Sequence, residues 1–535
     1  MGRPPTPVRI RSPLLGRPDQ ARSNMANGVA FVRRDASNMR DWDPALYWYA
    51  RAVGRMQQRP GTDPTSWVFQ GCIHGVPPTI TETNEAFSQC PHGGWFFLPW
   101  HRGYLWYFER IVRATIKEIA AEENITPDPS TGWALPYWDY ALDTPTSDPI
   151  EDFTSRALPA AFRSPKMPDS PNGTKLTVDN PLFLPEKQAT STADFWQTPH
   201  RSPGTNSAFE VLPYTDINPF TAISQTVFAA THTRQTDQPS FGSEISYTSM
   251  DHFRRGFGEL ENVPHNQVHG GVGGWMGSVA GAARDPIFWL HHSNIDRLWS
   301  SWLSKDNLNP DHTSWLDQTF IFFDENGQIQ KPTSREFLGI DPRDYGYESL
   351  TDGNGTRPVV VPPAQVPEAG ERVLATAAGN PRQLLSLHEP TEVSLEPADA
   401  VSRAMRSMTA PSTPQNLILT VHNVRTDVPP GTPFHVFLNG PSGELDPAGP
   451  YFVGWISFFG AADVDGALHD HGGHDVSFDV TEQVLRLQEQ GLLPDGPATI
   501  SIVPSVPQPV AGAADAAAKA TAPQPSFGSI SLTTV

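Results

Sequence analysis

The sequence has few cysteines, no long apolar run and no excess of positive charge, and each shortage excludes a class of protein. Cys72 and Cys90 are its only cysteines among 535 residues, which excludes a disulfide framework. No segment approaches the ~20 apolar residues of a membrane-spanning helix. The 38 Lys and Arg against 58 Asp and Glu give a net charge of -20, so partners such as nucleic acid or a membrane surface are disfavoured.

The N-terminal region also lacks the apolar segment of a secretory signal. Residues 1–25 contain five arginines but no run of the ~7–15 apolar residues that such a signal requires. The sequence therefore predicts a cytoplasmic location. Export in complex with a helper protein is the alternative.

The sequence has enough apolar residues for a folded chain, since 38% of its residues are hydrophobic and 10% are aromatic. The spacing of the apolar residues changes along the sequence. Tryptophans, histidines and helical periodicity before residue 350 predict a mainly α catalytic domain, and short strand-like runs after residue 414 predict a β-sandwich. The predicted segments are a flexible N-terminal segment 1–27, a catalytic domain 28–350, a Pro- and Gly-rich linker 351–414, a β-sandwich 415–505 and a low-complexity tail 506–535.

Two histidines four residues apart, His265 and His269, carry the first chemical signal. On a helix this spacing places both imidazoles on one face, about 6 Å apart and within reach of one metal ion. Zinc proteases share the spacing, but their helix has a Glu after the first histidine as general base. Here that position is Asn266, so a zinc hydrolase would lack its base.

Further histidines complete a set of six. His74, His92 and His101 lie in the first half, and Asp285-Pro286 opens a helix on which His291 and His292 point to faces roughly 100° apart. One of this pair joins His265 and His269 to make a second site of three. Imidazole-only sites without interleaved carboxylates favour a pair of copper ions that cycle between two oxidation states and use dioxygen as cosubstrate.

These segments closely resemble the type-3 copper proteins, a family of tyrosinases, catechol oxidases and molluscan haemocyanins. The family pattern His…Cys-x-His…His-Arg is matched by His74, Cys90-Pro-His92 and His101-Arg102. Its second pattern is matched from Glu261 to Arg297, including Asp-Pro-Ile-Phe and His-His-x-Asn-x-Asp-Arg. The resemblance implies a four-helix-bundle core that holds two copper ions.

The resemblance also implies a role for each residue of the site. The first copper would be bound by His74, His92 and His101, and the second by His265, His269 and His292. His291 would support these ligands without binding metal. Cys90 would form a thioether with His92, for which the alternatives are a free buried thiol and a disulfide with Cys72.

Later segments resemble the plant polyphenol oxidases. Tyr345-Gly-Tyr347 matches the Tyr-x-Tyr signature that closes their catalytic domain, and Arg33 or Arg34 is expected to stack on it. The β domain resembles their C-terminal shielding domain and would cover the copper pocket until the linker is cleaved. The cluster His469, His471 and His474 is interpreted as a solvated loop, with copper loading as the alternative.

The implied activity is the oxidation of small phenolic substrates by dioxygen. In the family a Glu and an Asn, here Glu261 and Asn266, hold a water that accepts the phenolic proton, and a gate residue, here Val279, limits access above the first copper. Their presence favours ortho-hydroxylation of monophenols together with oxidation of o-diphenols to o-quinones. The alternatives are a catechol oxidase, an o-aminophenol oxidase or a haemocyanin-like oxygen carrier.

Overall fold

Two hydrophobic cores, built by different parts of the chain, organise the computed structural model of the protein. The first contains residues from Ala36 to Phe337 and, in addition, Phe459. The second contains residues from Ala375 to Leu532. The structure describes residues 31–141, 154–171, 173–207, 214–229, 240–245, 257–339, 345–350, 372–396, 405, 417–441, 445–447, 449–462, 473–493, 498–506 and 523–534.

The first core is mainly helical. Its α-helices are α1 Pro44–Gln58, α2 Trp67–His74, α3 Phe97–Glu122, α4 Ala160–Arg163, α5 Thr192–Phe195, α6 Tyr214–Ile217, α7 Phe220–Ser224, α8 Gln267–Val272, α9 Val279–Ala282, α10 Ile287–Leu303 and α11 Thr313–Leu316. A π-helical segment, Glu261–Asn266, leads directly into α8. Short 3-10 helices lie at Ala36–Asn38, Thr154–Arg156, Gly274–Gly277 and Ser334–Phe337.

Helix α3 lies at the centre of this domain and packs against α1 and α10. Helix α1 begins where the Asp43 carboxylate accepts a hydrogen bond from the amide of Ala45, with Pro44 at its first position. Helix α10 begins in the same way, since Asp285 accepts from the amide of Ile287 at 3.1 Å. Every residue of α10 is buried, so its polar side chains must find partners inside the protein.

Small two-stranded sheets accompany the helices. Strand β1 Val32–Arg33 pairs with β6 Gly346–Tyr347. The other pairs are β2 Lys166–Pro168 with β3 Leu176–Asp179, and β4 Phe322–Phe323 with β5 Ile329–Gln330.

The second core lies between two four-stranded sheets with the strand orders β11-β10-β13-β8 and β12-β9-β14-β7. The predicted mainly α domain followed by a β-sandwich is therefore confirmed. The strands are β7 Arg372–Leu384, β8 Thr391–Ser394, β9 Leu417–Val424, β10 Phe434–Leu438, β11 Phe452–Ile456, β12 His474–Asp479, β13 Thr499–Pro504 and β14 Ser526–Thr534, and one helix, α12 Thr481–Glu489, follows β12.

The predictions of a linker at 351–414 and of a low-complexity tail at 506–535 are wrong for part of each range. Strands β7 and β8 lie inside the predicted linker, and β14, inside the predicted tail, is a central strand between β9 and β7. Strand β7 is rich in alanine, a weak strand former, so its composition suggested a linker. In β14 the alternation of apolar residues is interrupted near Gly528, where the pairing register shifts.

Other predictions fall on residues that the structure does not describe. These are the N-terminal segment 1–27, most of 351–371 and 397–416, and the histidines His469 and His471. None of the helices in the described part of the chain has the length and apolar character that a membrane crossing requires.

Candidate metal centre

Helices α2 and α3 and the loop between them bring three histidines and one cysteine together. His74 is the last residue of α2, His92 lies on the loop, and His101 lies one turn into α3. With Cys90 these side chains are buried, and their potential ligand atoms all lie within 4.8 Å of one another. We call this set the A group.

A second set, the B group, is formed by the π-helical segment, α8 and α10. It consists of His265, His269, His291 and His292, whose ligand atoms also lie within 4.8 Å of one another. The rings of His265 and His269 have centroids 4.5 Å apart, as the four-residue spacing predicts. The structure therefore brings every predicted copper ligand into one of the two groups.

Hydrogen bonds fix the tautomers of four of these histidines. In each, Nδ1 lies next to an oxygen that can only accept, so Nδ1 carries the proton and Nε2 keeps its lone pair. The pairs are His74 with the Val279 carbonyl at 2.9 Å, His101 with the Phe97 carbonyl at 2.8 Å, His269 with the Met276 carbonyl at 2.7 Å, and His265 with Asn266 Oδ1 at 2.9 Å. The metal-binding atom of each ring is thereby Nε2.

The free lone pairs face one another across the B group. Nε2 of His269 lies 3.3 Å from Nε2 of His292, and Nε2 of His265 is buried with no hydrogen-bond partner in the described part of the chain. Burial lowers the pKa of His265 to about 3 and holds those of His269 and His292 well below their usual value. Neutral imidazoles with converging lone pairs fit a bound cation.

The chemistry of the donor set selects among metals. Both groups offer imidazole nitrogens, with one thiol in the A group, and no carboxylate belongs to either group. Hard cations such as magnesium and calcium require oxygen ligands, whereas imidazole suits copper and zinc. The residues therefore fit a pair of copper ions, one in each group.

The two adjacent histidines of α10 occupy different places. His292 lies between the groups, because its ring stacks on that of His101 at 4.3 Å with 7° between the planes. The ring of His291 lies 5.4 Å from His265 and 5.7 Å from Tyr140, on the other side of the B group. That His292 binds copper while His291 supports it stays a prediction.

The Cys90 sulfur lies at equal distances, 3.5 Å, from the two ring nitrogens of His92. The sulfur therefore lies on the plane whose points are equally far from the two nitrogens. This plane also passes through the ring carbon Cε1, which is bonded to both nitrogens. Cys90 and Cys72 are both free thiols, and no disulfide joins them. Burial raises the pKa of the Cys90 thiol well above its usual value.

Glu261 lies in the π-helical segment, and its hydrogen bonds connect this segment to two loops. Its Oε1 accepts from the Gly93 amide at 2.9 Å, next to His92, and its Oε2 accepts from the Ser243 hydroxyl. Burial raises the pKa of Glu261 to about 8, and these two hydrogen bonds act in the opposite direction. Ser243 carries no motif in the sequence, and reasoning from the sequence missed it.

The predicted gate residue Val279 is fully buried at the start of α9, and its carbonyl holds His74. The aromatic residues near the ligands belong to the hydrophobic core; they are Trp95, Phe96, Phe97, Trp100 and Phe288. They separate the two histidine groups from water on the side of the helical domain.

The β-sandwich closes the other side of the site with Phe459. The ring of this residue stacks on the imidazole of His269 at 4.0 Å with 19° between the planes, and lies 5.3 Å from His92 and 5.6 Å from His265. Ser457 donates a hydrogen bond to the Asn266 carbonyl at 2.9 Å. The C-terminal domain thus covers the pocket, as predicted, and Phe459 is the residue that does so. Nothing in the sequence pattern distinguishes Phe459 from the aromatic residues around it.

Asp296, on α10, contacts residues from both the N-terminal and the C-terminal end of the helical domain. Its carboxylate accepts from Arg102 Nε at 2.5 Å and lies 3.3 Å from Arg33 Nη1. Arg33 stacks on the Tyr345 ring at 3.8 Å, as predicted. The neighbouring Arg297 forms a separate buried pair with Asp139 at 2.9 Å.

Comparison with known proteins identifies the helical domain. Residues 64–305 match the model of the common central domain of tyrosinase. This part of the chain is therefore similar to the tyrosinases, which are type-3 copper proteins. Residues 373–515, in the β-sandwich, match a domain of unknown function.

Several tyrosinases and polyphenol oxidases are similar to the chain. The tyrosinase HcTyr1 of Hahella sp. (strain CCB-MM4) is 29% identical over 488 residues, which cover 87% of this chain and 94% of that protein. Polyphenol oxidase A1 of Vicia faba is 28% identical over 342 residues, 59% of this chain and 47% of that protein. The chain thus spans about half the length of this plant relative.

Solved structures of the tyrosinase family share the two-domain fold. The structure of latent apple tyrosinase has a TM-score of 0.51 to this chain, with 19% identity, and covers 95% of this chain and 98% of its own. The cofactor of the family is a pair of copper ions, and the A and B groups provide the donors that such a pair requires.

Proposed function

We propose that the chain is a latent tyrosinase, which oxidises phenols with dioxygen once its C-terminal domain no longer covers the pocket. It hydroxylates monophenols at the ortho position and oxidises o-diphenols to o-quinones. The observation that carries this proposal is the ring of Phe459 stacked on His269 between two groups of buried histidines. An aromatic ring of the protein occupies the place that a phenol ring needs.

The two coppers would be held by six imidazoles. The donors are His74, His92 and His101 for one ion and His265, His269 and His292 for the other. When bound, the copper pair supplies the redox chemistry by which dioxygen oxidises a phenol. Backbone carbonyls orient three of these imidazoles, those of His74, His101 and His269, and make them stronger donors.

The protein's own groups orient the phenol and take its proton. The imidazole face of His269 stacks on an entering ring, as it stacks on Phe459. Glu261 and Asn266 hold the water that accepts the phenolic proton, because Glu261 is fixed by Gly93 and Ser243 and Asn266 is fixed by His265. The small side chain of Val279 leaves room for a monophenol.

Cys90 and His92 form a thioether in the mature protein. This proposal is supported by the free Cys90 thiol, which lies 3.5 Å from both ring nitrogens of His92. Formation of the thioether would remove the thiol hydrogen and one ring hydrogen, and one dioxygen molecule would take up these two hydrogens as hydrogen peroxide. The bond fixes a ligand that otherwise lies on an irregular loop.

Activation requires release of the C-terminal domain. The predicted cleavage window, Thr351 to Pro414, is narrowed by the strands, because β7 begins at Arg372 and belongs to the sandwich. We therefore place cleavage between Thr351 and Glu371. The helical domain retains its own hydrophobic core after the cut, since Phe459 is the single contribution from beyond residue 350 among the described residues.

The test combines copper content with oxygen uptake on a monophenol and on a diphenol, before and after cleavage. Two coppers per chain and turnover of both substrates only after cleavage are expected. Diphenol turnover alone would identify a catechol oxidase and remove the role of Glu261 and Asn266. Reversible oxygen binding without turnover after cleavage would identify an oxygen carrier, and a chain that binds no copper would overturn the whole proposal.

A further inference from the structure

The outer face of one sheet of the β-sandwich brings a serine, a histidine and an aspartate together. In β14, Ile530 and Leu532 belong to the core of the sandwich. Because side chains alternate along a strand, Ser531 between them lies on the opposite face. The neighbouring strand β9 adds His422 to this face, and the edge strand β12 adds Asp475. These three side chains form a line of hydrogen bonds far along the chain from the copper ligands.

Asp475 and Ser531 contact opposite nitrogens of the His422 ring. Nδ1 lies 3.0 Å from Oδ2 of Asp475, and Nε2 lies 2.7 Å from Oγ of Ser531. An ionised carboxylate can only accept, so Nδ1 carries the proton and Nε2 keeps its lone pair. The Ser531 hydroxyl therefore donates to Nε2. The aspartate orients the imidazole, and the imidazole is placed to take the proton of the serine.

A β-bulge between β9 and β12 builds this geometry. The pairing register shifts so that two residues of β9, His422 and Asn423, lie opposite one residue of β12, Asp475. Asn423 has a left-handed backbone conformation with φ 55°, and its amide donates to Oδ1 of Asp475 at 2.9 Å. One carboxylate oxygen is thus fixed by the amide and the other by the imidazole. Bulges that re-aim side chains in this way are frequent next to active sites.

The three side chains differ in how far solvent reaches them. The side chains of His422 and Asp475 are 36% and 35% exposed, whereas Ser531 is 9% exposed. The sheet face is therefore open at the imidazole and mostly covered at the serine. A small molecule can reach the Ser531 oxygen from the side of the imidazole, and a bulky one is excluded.

We propose that the β-sandwich carries a serine hydrolase site that cleaves small carboxylic esters. Ser531 is the nucleophile, His422 is the general base, and Asp475 orients the imidazole. Sites of this kind are defined by the geometry and the roles of the three groups, and they recur on unrelated folds. This activity is distinct from phenol oxidation and does not involve the copper ligands.

The neighbouring side chains indicate the class of ester. Residues with hydroxyl groups share this face, so the site favours a short acyl group over a long aliphatic one; they are Thr420, Ser477, Ser529 and Thr533. Ser529 lies opposite His422 in the register of β14 and β9. Its hydroxyl can donate to the negative charge that develops on the carbonyl oxygen of the ester.

The reaction balances with water as the only co-reactant. The Ser531 oxygen attacks the carbonyl carbon of the ester, and its proton passes to Nε2 of His422. The bond from the carbonyl carbon to the alcohol oxygen then breaks, and the alcohol leaves with that proton. A water molecule, deprotonated by the same nitrogen, releases the acyl group and restores the serine. One ester and one water thus give one carboxylic acid and one alcohol.

The test uses the full-length, copper-loaded protein and a fluorophosphonate probe. An activated serine oxygen forms a bond to the phosphorus of this probe, fluoride leaves, and the serine proton passes to the imidazole. We expect one label per chain, and peptide mapping by mass spectrometry should place it on Ser531. Hydrolysis of 2,2,2-trifluoroethyl acetate, measured as acid release at constant pH, should proceed through many turnovers and stop when Ser531 is labelled.

Variants of the three residues test their roles. Ser531→Ala should lose both the label and the ester hydrolysis. His422→Ala should slow the labelling of Ser531 by at least about a hundredfold, because a general base contributes about 10²–10⁴-fold. Ser477→Ala is the matched control, since its hydroxyl lies on the same face and contacts Thr420 at 2.7 Å instead of an imidazole. It should be labelled at the wild-type rate, and urea unfolding of each variant gives the folded fraction to which the rates refer.

Two results would overturn the inference. One is a wild-type protein that carries no label on Ser531, and the other is a labelling rate that His422→Ala leaves unchanged. Ester hydrolysis that persists in Ser531→Ala would also contradict it, because the reaction would then occur elsewhere on the surface. Neither the probe nor the ester is a phenol, so these results and those on phenol oxidation are independent of each other.

Discussion

The aromatic ring of Phe459 lies nearly parallel to the imidazole of His269, with the two centroids 4.0 Å apart. One residue is the lid of the pocket and the other is a copper ligand in the proposed site. Among the described residues, Phe459 is the one residue from beyond residue 350 that belongs to the hydrophobic core of the helical domain.

Phe459→Ala should activate the full-length chain without cleavage. Removing a buried phenylalanine costs about 3–5 kcal/mol, and here the loss weakens the closed arrangement of the two domains. We expect catechol oxidation by the uncleaved variant to rise at least about tenfold over the uncleaved wild type, measured as oxygen uptake. Cleaved variant and cleaved wild type should be equally active, because residue 459 leaves with the domain. An uncleaved variant that is no more active than the uncleaved wild type would contradict the proposal that the Phe459 ring blocks the pocket.

His269→Ala should remove one of two coppers and abolish phenol oxidation. The remaining imidazoles of the B group form an incomplete site, while the A group keeps its three histidines. Metal analysis should give about one copper per chain. His388→Ala, at an exposed histidine of the sandwich, should keep both coppers and full activity. Two coppers in His269→Ala would remove this residue from the ligand set.

Thiol counting tests the thioether. The denatured mature protein should react with an alkylating reagent at Cys72 alone, and its mass should be lower than the sequence mass by two hydrogens. In Cys90→Ser the mass deficit should disappear while Cys72 still reacts. Two reactive thiols in the copper-loaded, turned-over protein would show that no bond forms between Cys90 and His92.

Arg33 and Arg34 are neighbours with very different environments, and their substitutions should differ in cost. Arg33 is fully buried and pairs with Glu109 at 2.6 Å and with Asp296 at 3.3 Å. Arg33→Gln removes a fully buried cation that two buried carboxylates share, although Glu109 keeps Arg113 and Asp296 keeps Arg102. It should lower the free energy of unfolding by up to about 3–5 kcal/mol. Arg34→Gln breaks a pair with Asp43 in which Arg34 is exposed, and should cost less than about 1 kcal/mol. Urea unfolding of both variants is the measurement, and equal costs would contradict the buried network.

Asp35 should make stability depend on pH. Burial, and then the neighbouring Asp139, raise the pKa of Asp35 to about 7, with Arg297 acting in the opposite direction. The unfolded chain has an ordinary aspartate, so between about pH 4 and pH 7 the folded state binds more protons. Stability contributed by protonated Asp35 is therefore complete below about pH 4 and is lost as pH rises through about 7. Urea unfolding across this range should show that loss, and Asp35→Asn should flatten the curve; an unchanged slope would exclude Asp35 as its source.

Local pattern predicted the helical domain and all the histidines of the site, because ligand spacing and helix caps are encoded within a few residues. The same is true of strands such as β9 and β10, whose apolar residues are continuous or alternate. Strands β7 and β14 were missed because pairing across more than 100 residues, rather than their own composition, makes them strands. Phe459 and Ser243 were missed for a related reason, since each acquires its role from a partner elsewhere in the sequence.

The position of β14 has a consequence for the order of events during synthesis. Domains fold as they emerge from the ribosome, the N-terminal one first, and the sheet β12-β9-β14-β7 lacks its inner strand until residues 526–534 have emerged. The helical domain is complete long before that point. The histidine pocket therefore stays open to metal ions while the sandwich is synthesised, because the sheet that carries the covering domain is incomplete until β14 has joined it.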